Sequence, residues 1–324
     1  MSLYIAPRPT TGLDDLPVRR YDALLCSLGY ETRSRTVAEG LGGDFQLHAL
    51  GFTHSHVEAY RENRAKLVEM GAEVAEMNDE GFGEWVGGWF AETPHRHVAV
   101  DISSMSRPRI AATVQALRRC PNPDVIVDFL YVPQKRPRRR LRAIDATTSL
   151  GPVLPDLAGW AADVDQPLMV LFGLGYEPIR AAGAIDELDP YLAIPFFPKG
   201  PNSKFIKDVT NANTDVFELS VVSDTRDYQL DNPFACFVEL DSLISVYAER
   251  EGYRSLLLPL GPKIFALVCI LVSVVRDPPT PVWRISPGPL GEQLDRQPED
   301  MVVSLRVSPG PIDVTPPGCA EPAD

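Results

Sequence analysis

The tetrad L-G-Y-E occurs twice, at Leu28 to Glu31 and at Leu174 to Glu177, each time after an apolar run and before a segment with helical spacing. A repeated unit constrains a fold more than composition does, because both copies must form the same local structure. The flanks agree as well. Tyr21 to Leu41 (Y-D-A-L-L-C-S-L-G-Y-E-T-R-S-R-T-V-A-E-G-L) matches the pattern of Gln166 to Leu188 (Q-P-L-M-V-L-F-G-L-G-Y-E-P-I-R-A-A-G-A-I-D-E-L). The segments starting at Asp44 and at Pro190 each read as a strand, a polar turn and an amphipathic helix. His97 to Leu117 parallels Arg254 to Val272: an apolar strand, a small-residue turn carrying one cation (Arg107 or Lys263), and a helix. A further apolar stretch follows each, from Val125 and from Pro281.

Strands separated by helical segments pair in parallel and take helices on both faces. The expected fold class is therefore α/β, with two tandem Rossmann-like three-layer units, mainly parallel sheets, related by internal duplication. The first repeat is expected over residues 1–150 and the second over 151–310, joined within Leu141 to Asp165, with a disordered tail over 311–324.

Composition narrows the function classes. Of the 324 residues, no apolar run reaches the roughly 18 needed to span a bilayer. The longest, Ile264 to Val275, suits a buried helix or strand. The start of the chain lacks the apolar core of a signal peptide, and five cysteines without a C-x-x-C pair point to a reducing, cytosolic setting. A net charge of −13 argues against coating duplex nucleic acid, which requires a cationic face. The basic run Gln134 to Arg142, with Lys135 and Arg142 in it, reads either as a solvated loop or as a contact for an acidic partner. His54 with His56, and His95 with His97, lack a third close ligand, so no metal is expected, and no cofactor fingerprint is present.

In open parallel sheets, ligands bind beyond the carboxyl ends of the strands. Ser27, Gly29, Tyr30 and Glu31 occupy that place in the first copy, and Gly173, Gly175, Tyr176 and Glu177 in the second. The stretch D-I-S-S-M-S-R-P-R-I follows another strand: Asp101 ends it, Ser103, Ser104 and Ser106 supply hydroxyls, and Arg107 can fork onto a phosphate. The corresponding turn in the second copy carries Gly261 and Lys263. The glycines also suit simple turns, Ser106 a helix cap, and the two glutamates a first helical turn. An enzyme would use Glu31 or Asp101 as general base or nucleophile on a phosphorylated or ribosyl substrate, with Arg33, Arg35 and Arg107 neutralising it.

The strand, D-I-S-S-M-S-R and alanine-rich helix resemble the D-hydrophobic-T-G-G-T-K segment of CRISPR-associated Rossmann fold (CARF) sensor domains. Two such units in one chain resemble the related SAVED sensors of bacterial antiphage signalling. The resemblance implies binding of a nucleotide or cyclic oligonucleotide, with Ser103, Ser104, Ser106 and Arg107 lining the pocket in one copy and Gly261 and Lys263 in the other. The chain departs from that pattern in having no G-G-T-K. Two alternatives stand beside the sensor: a nucleotide-processing hydrolase using Glu31 or Asp101, and a non-catalytic scaffold subunit associating with a protein encoded in the same operon.

Overall fold

The computed structural model describes residues 2–135, 147–159, 165–176, 180–200, 203–287 and 293–311. After β1 (Tyr4–Pro7) the chain alternates: β2 (Ala23–Cys26), α1 (Thr36–Gly40), β3 (Gln46–Phe52), α2 (Tyr60–Glu69), β4 (Glu73–Met77), α3 (Asp79–Glu92), β5 (His97–Asp101), α4 (Arg107–Arg118) and β6 (Ile126–Tyr131). Beyond β7 (Thr147–Pro152) a second alternation runs β8 (Leu168–Gly173), α5 (Arg180–Leu188), β9 (Leu192–Lys199), α6 (Ser203–Ala212), α7 (Thr214–Phe217), β10 (Arg226–Gln229), α8 (Pro233–Glu251), β11 (Arg254–Leu258), α9 (Lys263–Val275) and β12 (Trp283–Pro287). The last described strand is β13 (Val303–Ser308).

These strands build a mixed α/β architecture with a large, mostly parallel sheet. The seven-stranded sheet has the order β1-β13-β6-β5-β2-β3-β4, in which only β13 runs antiparallel to its neighbours. A four-stranded sheet, β10-β9-β8-β11, is parallel throughout. Central strands such as β2 (A-L-L-C) and β8 (L-M-V-L-F-G) are apolar without alternation because helices cover both of their faces.

One apolar core spans both sheets. It takes Leu25, Val100 and Phe129 from the larger sheet and Met169, Leu171 and Ile194 from the smaller. Phe82 of α3, Leu117 of α4, Leu240 of α8 and Leu271 of α9 fill the space between. Ile264 through Val274 of α9 are all buried, which explains why this helix is apolar on every side. Its packing against both α4 and α8 makes it the central element of that layer. Separate apolar clusters sit on the outer faces, under α1 and α2 on the larger sheet and under α5 and α6 on the smaller.

Two segments differ from the sequence-based layout. The region expected to be a join contains β7, which pairs antiparallel with β12. The strand β13, assigned by sequence to the second repeat, lies between β1 and β6 of the first sheet. Its alternation V-S-L-R-V-S explains the fit: Val303, Leu305 and Val307 enter the shared core, while Arg306 forks onto Asp128 on the other face at 2.7 and 3.0 Å. Of the basic run only Gln134 and Lys135 are described; residues 136–142 and the expected tail from 312 onward lie outside the described residues. Among the described residues no helix is long and apolar enough to cross a membrane.

Candidate functional site

Four turns at carboxyl ends of strands meet where the N-termini of α4 and α9 come together. Arg107, at the start of α4, reaches across to the turn before α9: its Nε donates to the Pro259 carbonyl at 2.5 Å and its Nη2 to the Gly261 carbonyl at 3.3 Å. Lys263, at the start of α9, lies in the electrostatic field of Glu31, Arg33, Arg296, Arg107 and Asp101. The two cations predicted from the repeats thus share one location.

Glu31 is the centre of that cluster. It immediately precedes a short 3-10 turn (Thr32–Arg35), and its side chain is buried. Arg33 Nε donates to Oε2 at 2.6 Å, Arg296 Nε lies 3.3 Å from Oε1, and Ser104 Oγ donates to Oε2 at 3.4 Å. Burial by itself would raise this carboxyl, but Arg33, Lys263 and Arg296 outweigh it and bring the pKa down to about 2. Arg33 is fully enclosed, donates from Nη1 to the Val132 carbonyl at 3.0 Å, and stands over the Tyr131 ring.

Asp101 behaves in the opposite way. Burial raises its carboxyl to about 6, against a hydrogen bond from the Ser103 amide at 2.8 Å and the charges of Arg33 and Lys263. Lys263 is likewise moved by burial, down to about 7, because the attraction of Glu31 is offset by Arg33, Arg296 and Arg107. At neutral pH the described residues of the cluster carry three guanidiniums and one partly protonated amine against Glu31 and a largely ionised Asp101. The result is a local positive excess in a chain of net charge −13.

Arg296 belongs to a strap, residues 293–299, that crosses the carboxyl edge of the first sheet. Gln293 Nε2 donates to Ser55 Oγ at 2.6 Å. Asp295 accepts from the Thr32 amide at 2.6 Å and from its hydroxyl at 2.8 Å. The Arg33 amide donates to the Arg296 carbonyl, and Lys135 and Glu299 add backbone bonds on the far side. Sequence reasoning missed this segment because Q-L-D-R-Q-P-E has no periodicity and its partners lie far away in the chain.

The remaining predicted residues divide by role. Ser103 Oγ accepts from the Val132 amide at 2.8 Å, and Ser106 caps α4 by accepting from the Arg109 amide while donating to Asp79. Arg35 faces away, onto Glu39, Glu62 and Asn63. Ser27 is buried, with no hydrogen-bond partner for its hydroxyl among the described residues. Tyr30 packs beside the outer core, and Tyr176 meets Phe205 edge to face. Glu177 lies outside the described residues.

The glycines serve contact between turns. A Cβ at Gly29 would come within 3.1 Å of Ser104 Cβ, one at Gly173 within 2.3 Å of the Leu260 carbonyl oxygen, and one at Gly261 within 2.1 Å of the Leu174 oxygen. Gly261 also has φ near +72°, so this turn excludes other residues twice over. Gly175 acts through its backbone instead, its carbonyl accepting from Asn213 Nδ2 at 2.9 Å, as the Gly29 carbonyl accepts from Asn63 Nδ2 at 2.9 Å. Both asparagines are buried, and neither was singled out in the sequence. Arg109, also fully buried, bolts β3 to β4 through the carbonyls of Leu50, Gly51 and Met77.

Among the described residues no three His, Cys, Asp or Glu side chains gather as a metal site. Comparison with known protein families and with curated proteins yields no match to the chain.

Proposed function

We propose that the chain consists of two duplicated Rossmann-like units and binds a nucleotide or cyclic oligonucleotide in the crevice between them, as a sensor in bacterial signalling or antiphage defence. The strand sequence supports duplication. The order β6-β5-β2-β3-β4 in one sheet corresponds to β11-β8-β9-β10 in the other, with β12 joined to β11 through the Leu257–Val282 bridge. In each half a buried asparagine amide donates to the carbonyl of the L-G-Y-E glycine, Gly29 or Gly175, which supports it further.

The observation that carries the binding reading is the gathering of Arg33 and Arg296 on Glu31, with Lys263 beside Glu31 and Asp101 and Arg107 beside Lys263, at the strand ends where α/β folds take their ligands. Guanidiniums there can exchange a carboxylate or carbonyl partner for phosphate oxygens. Isothermal calorimetry against mononucleotides, NAD, and cyclic di- and oligonucleotides tests it. We expect one of these to bind, and Arg296→Ala to weaken it by about tenfold or more, the loss of one charge-assisted contact. Folded protein that gives no heat with the whole panel overturns the reading.

Nucleotide hydrolysis is the second reading, and Asp101 favours it. A buried carboxyl near 6 can exchange a proton at neutral pH, whereas Glu31 is fixed as a carboxylate by Arg33 and Arg296. Chromatography of the same nucleotides after incubation separates the two: product formation abolished in Asp101→Asn supports cleavage, and intact nucleotides support binding alone.

A further inference from the structure

We infer that Lys263 is a carbonyl-reactive amine, whose Nζ captures an aldehyde or ketone bearing a phosphate as an imine while Arg107 and Arg296 hold the phosphate. The inference rests on the anion-binding reading of the crevice and adds a covalent step to it.

Lys263 differs from every other cation of the site in being uncommitted. Arg33 is bonded to Glu31 and the Val132 carbonyl, Arg107 to the carbonyls of Pro259 and Gly261, and Arg296 is paired with Glu31. Lys263 is partly exposed, and among the described residues no hydrogen bond or ion pair within 4.0 Å holds its amine. A guanidinium stays protonated at any physiological pH, so among the described residues of the cluster the single amine is the one cation that can become a nucleophile.

The surroundings favour that state. Three guanidiniums, from the turn after β2, from α4 and from the strap, disfavour a fourth positive charge; Glu31 and Asp101 favour it. Burial tips the balance, so the amine is about half neutral at pH 7. An ordinary solvated lysine, with a pKa near 10.4, is neutral only to about one part in a few thousand there.

The step balances without a redox partner. The Nζ lone pair attacks the carbonyl carbon, the C=O pair moves to oxygen, and the carbinolamine expels that oxygen as water with the two protons of the amine. A carbon–nitrogen double bond replaces the carbon–oxygen one. The same guanidiniums that would orient a nucleotide phosphate orient this one, placing the carbonyl beside the amine.

The chain has six lysines, Lys66, Lys135, Lys199, Lys204, Lys207 and Lys263, so labelling can be assigned unambiguously. The full chain is treated at neutral pH with pyridoxal 5′-phosphate or with pyridoxal, reduced with borohydride, and mapped by peptide mass spectrometry. Lys263 should be modified at least about tenfold faster than the other lysines, given its larger neutral fraction. The phosphorylated aldehyde should outpace pyridoxal by a similar factor, about tenfold, and inorganic phosphate should slow it, since two guanidiniums hold the phosphate. Lys263→Arg should abolish the label while keeping the thermal transition. Modification spread evenly over the lysines, or equal rates for the two aldehydes, overturns the inference. Nucleotide binding without selective labelling overturns only the imine. Selective, phosphate-dependent labelling without nucleotide binding retains the amine and overturns the nucleotide.

Discussion

Asp101 and Glu31 share one buried cluster yet ionise on opposite sides of the usual carboxylate range, because Glu31 is bonded to two guanidiniums whereas burial outweighs the bonds that Ser103 gives Asp101. The difference has an experimental sign. A raised carboxyl favours the protonated folded state, so its effect on stability is harmless below the unfolded value of about 4 and turns adverse as pH rises toward about 6. Glu31 does the reverse, stabilising the fold above its unfolded value and losing that contribution as pH falls toward about 2. Asp101→Asn keeps an acceptor for the Ser103 amide and removes the buried charge. Urea titrations should therefore find the variant more stable than the parent at pH 7.5 by about 1–3 kcal/mol, with the difference vanishing near pH 4. A variant weaker at both pH values would show that the ionised carboxylate is instead stabilised by its surroundings. The serines of S-S-M-S-R could not be sorted from sequence, because Ser103 finds Val132, Ser104 finds Glu31 and Ser106 finds Asp79, each well away in the chain. Asn63 and Asn213 left no signal either: the first lies within α2 and the second just after α6, so the helical pattern does not align them.

At the level of elements, α9 was legible and the strap was not. An unbroken apolar run can only be buried, whatever its conformation, so Ile264 to Val275 announced itself; Q-L-D-R-Q-P-E is held by polar bonds to three distant loops and has no pattern to announce. The same bonds make the strap separable from the core. Asp295 holds both the amide and the hydroxyl of Thr32, the first residue of the turn that carries Arg33. In Asp295→Ala these two charge-assisted bonds disappear, at roughly 1.5–3 kcal/mol each if fully formed and less where solvent competes. Hydrogen exchange over residues 293–299 and at Thr32 should speed up by about tenfold or more, while the sheet core keeps its protection, as expected for a local opening. If anion binding needs Arg296 in place, affinity in the calorimetric panel should fall in parallel. Unchanged exchange in the variant would mean that the backbone bonds of Lys135, Arg33 and Glu299 fix the strap without the carboxylate.

For the molecule as a whole, the strand–helix alternation and the parallel pairing followed from the repeated pattern, but the return of β13 did not. V-S-L-R-V-S reads as a strand with one buried face, and nothing local says which sheet it joins. That return, together with a core shared by both sheets, argues against independent folding of the two halves. A fragment ending at residue 150 loses β13 from between β1 and β6 and loses α8 and α9 from above Phe82, Leu117 and Phe129. It would leave β1 unpaired and would expose the apolar surface that α9 covers on α4 and α8 covers on β1, a loss of about 25 cal/mol for each Å² of apolar surface that stays uncovered. The full chain should accordingly unfold in urea as one transition, coincident by far-ultraviolet circular dichroism and by fluorescence of Trp85 and Trp89 in α3 and Trp283 in β12. Phe265→Ala provides the sharper test. Its ring lies against Phe196 and Tyr228 of the smaller sheet, so truncation should cost about 3–5 kcal/mol. If the core is one cooperative unit, that loss shifts both optical signals equally. A midpoint shift confined to one signal, or a 1–150 fragment with a sharp thermal transition of its own, would show that the halves fold separately and meet only afterwards.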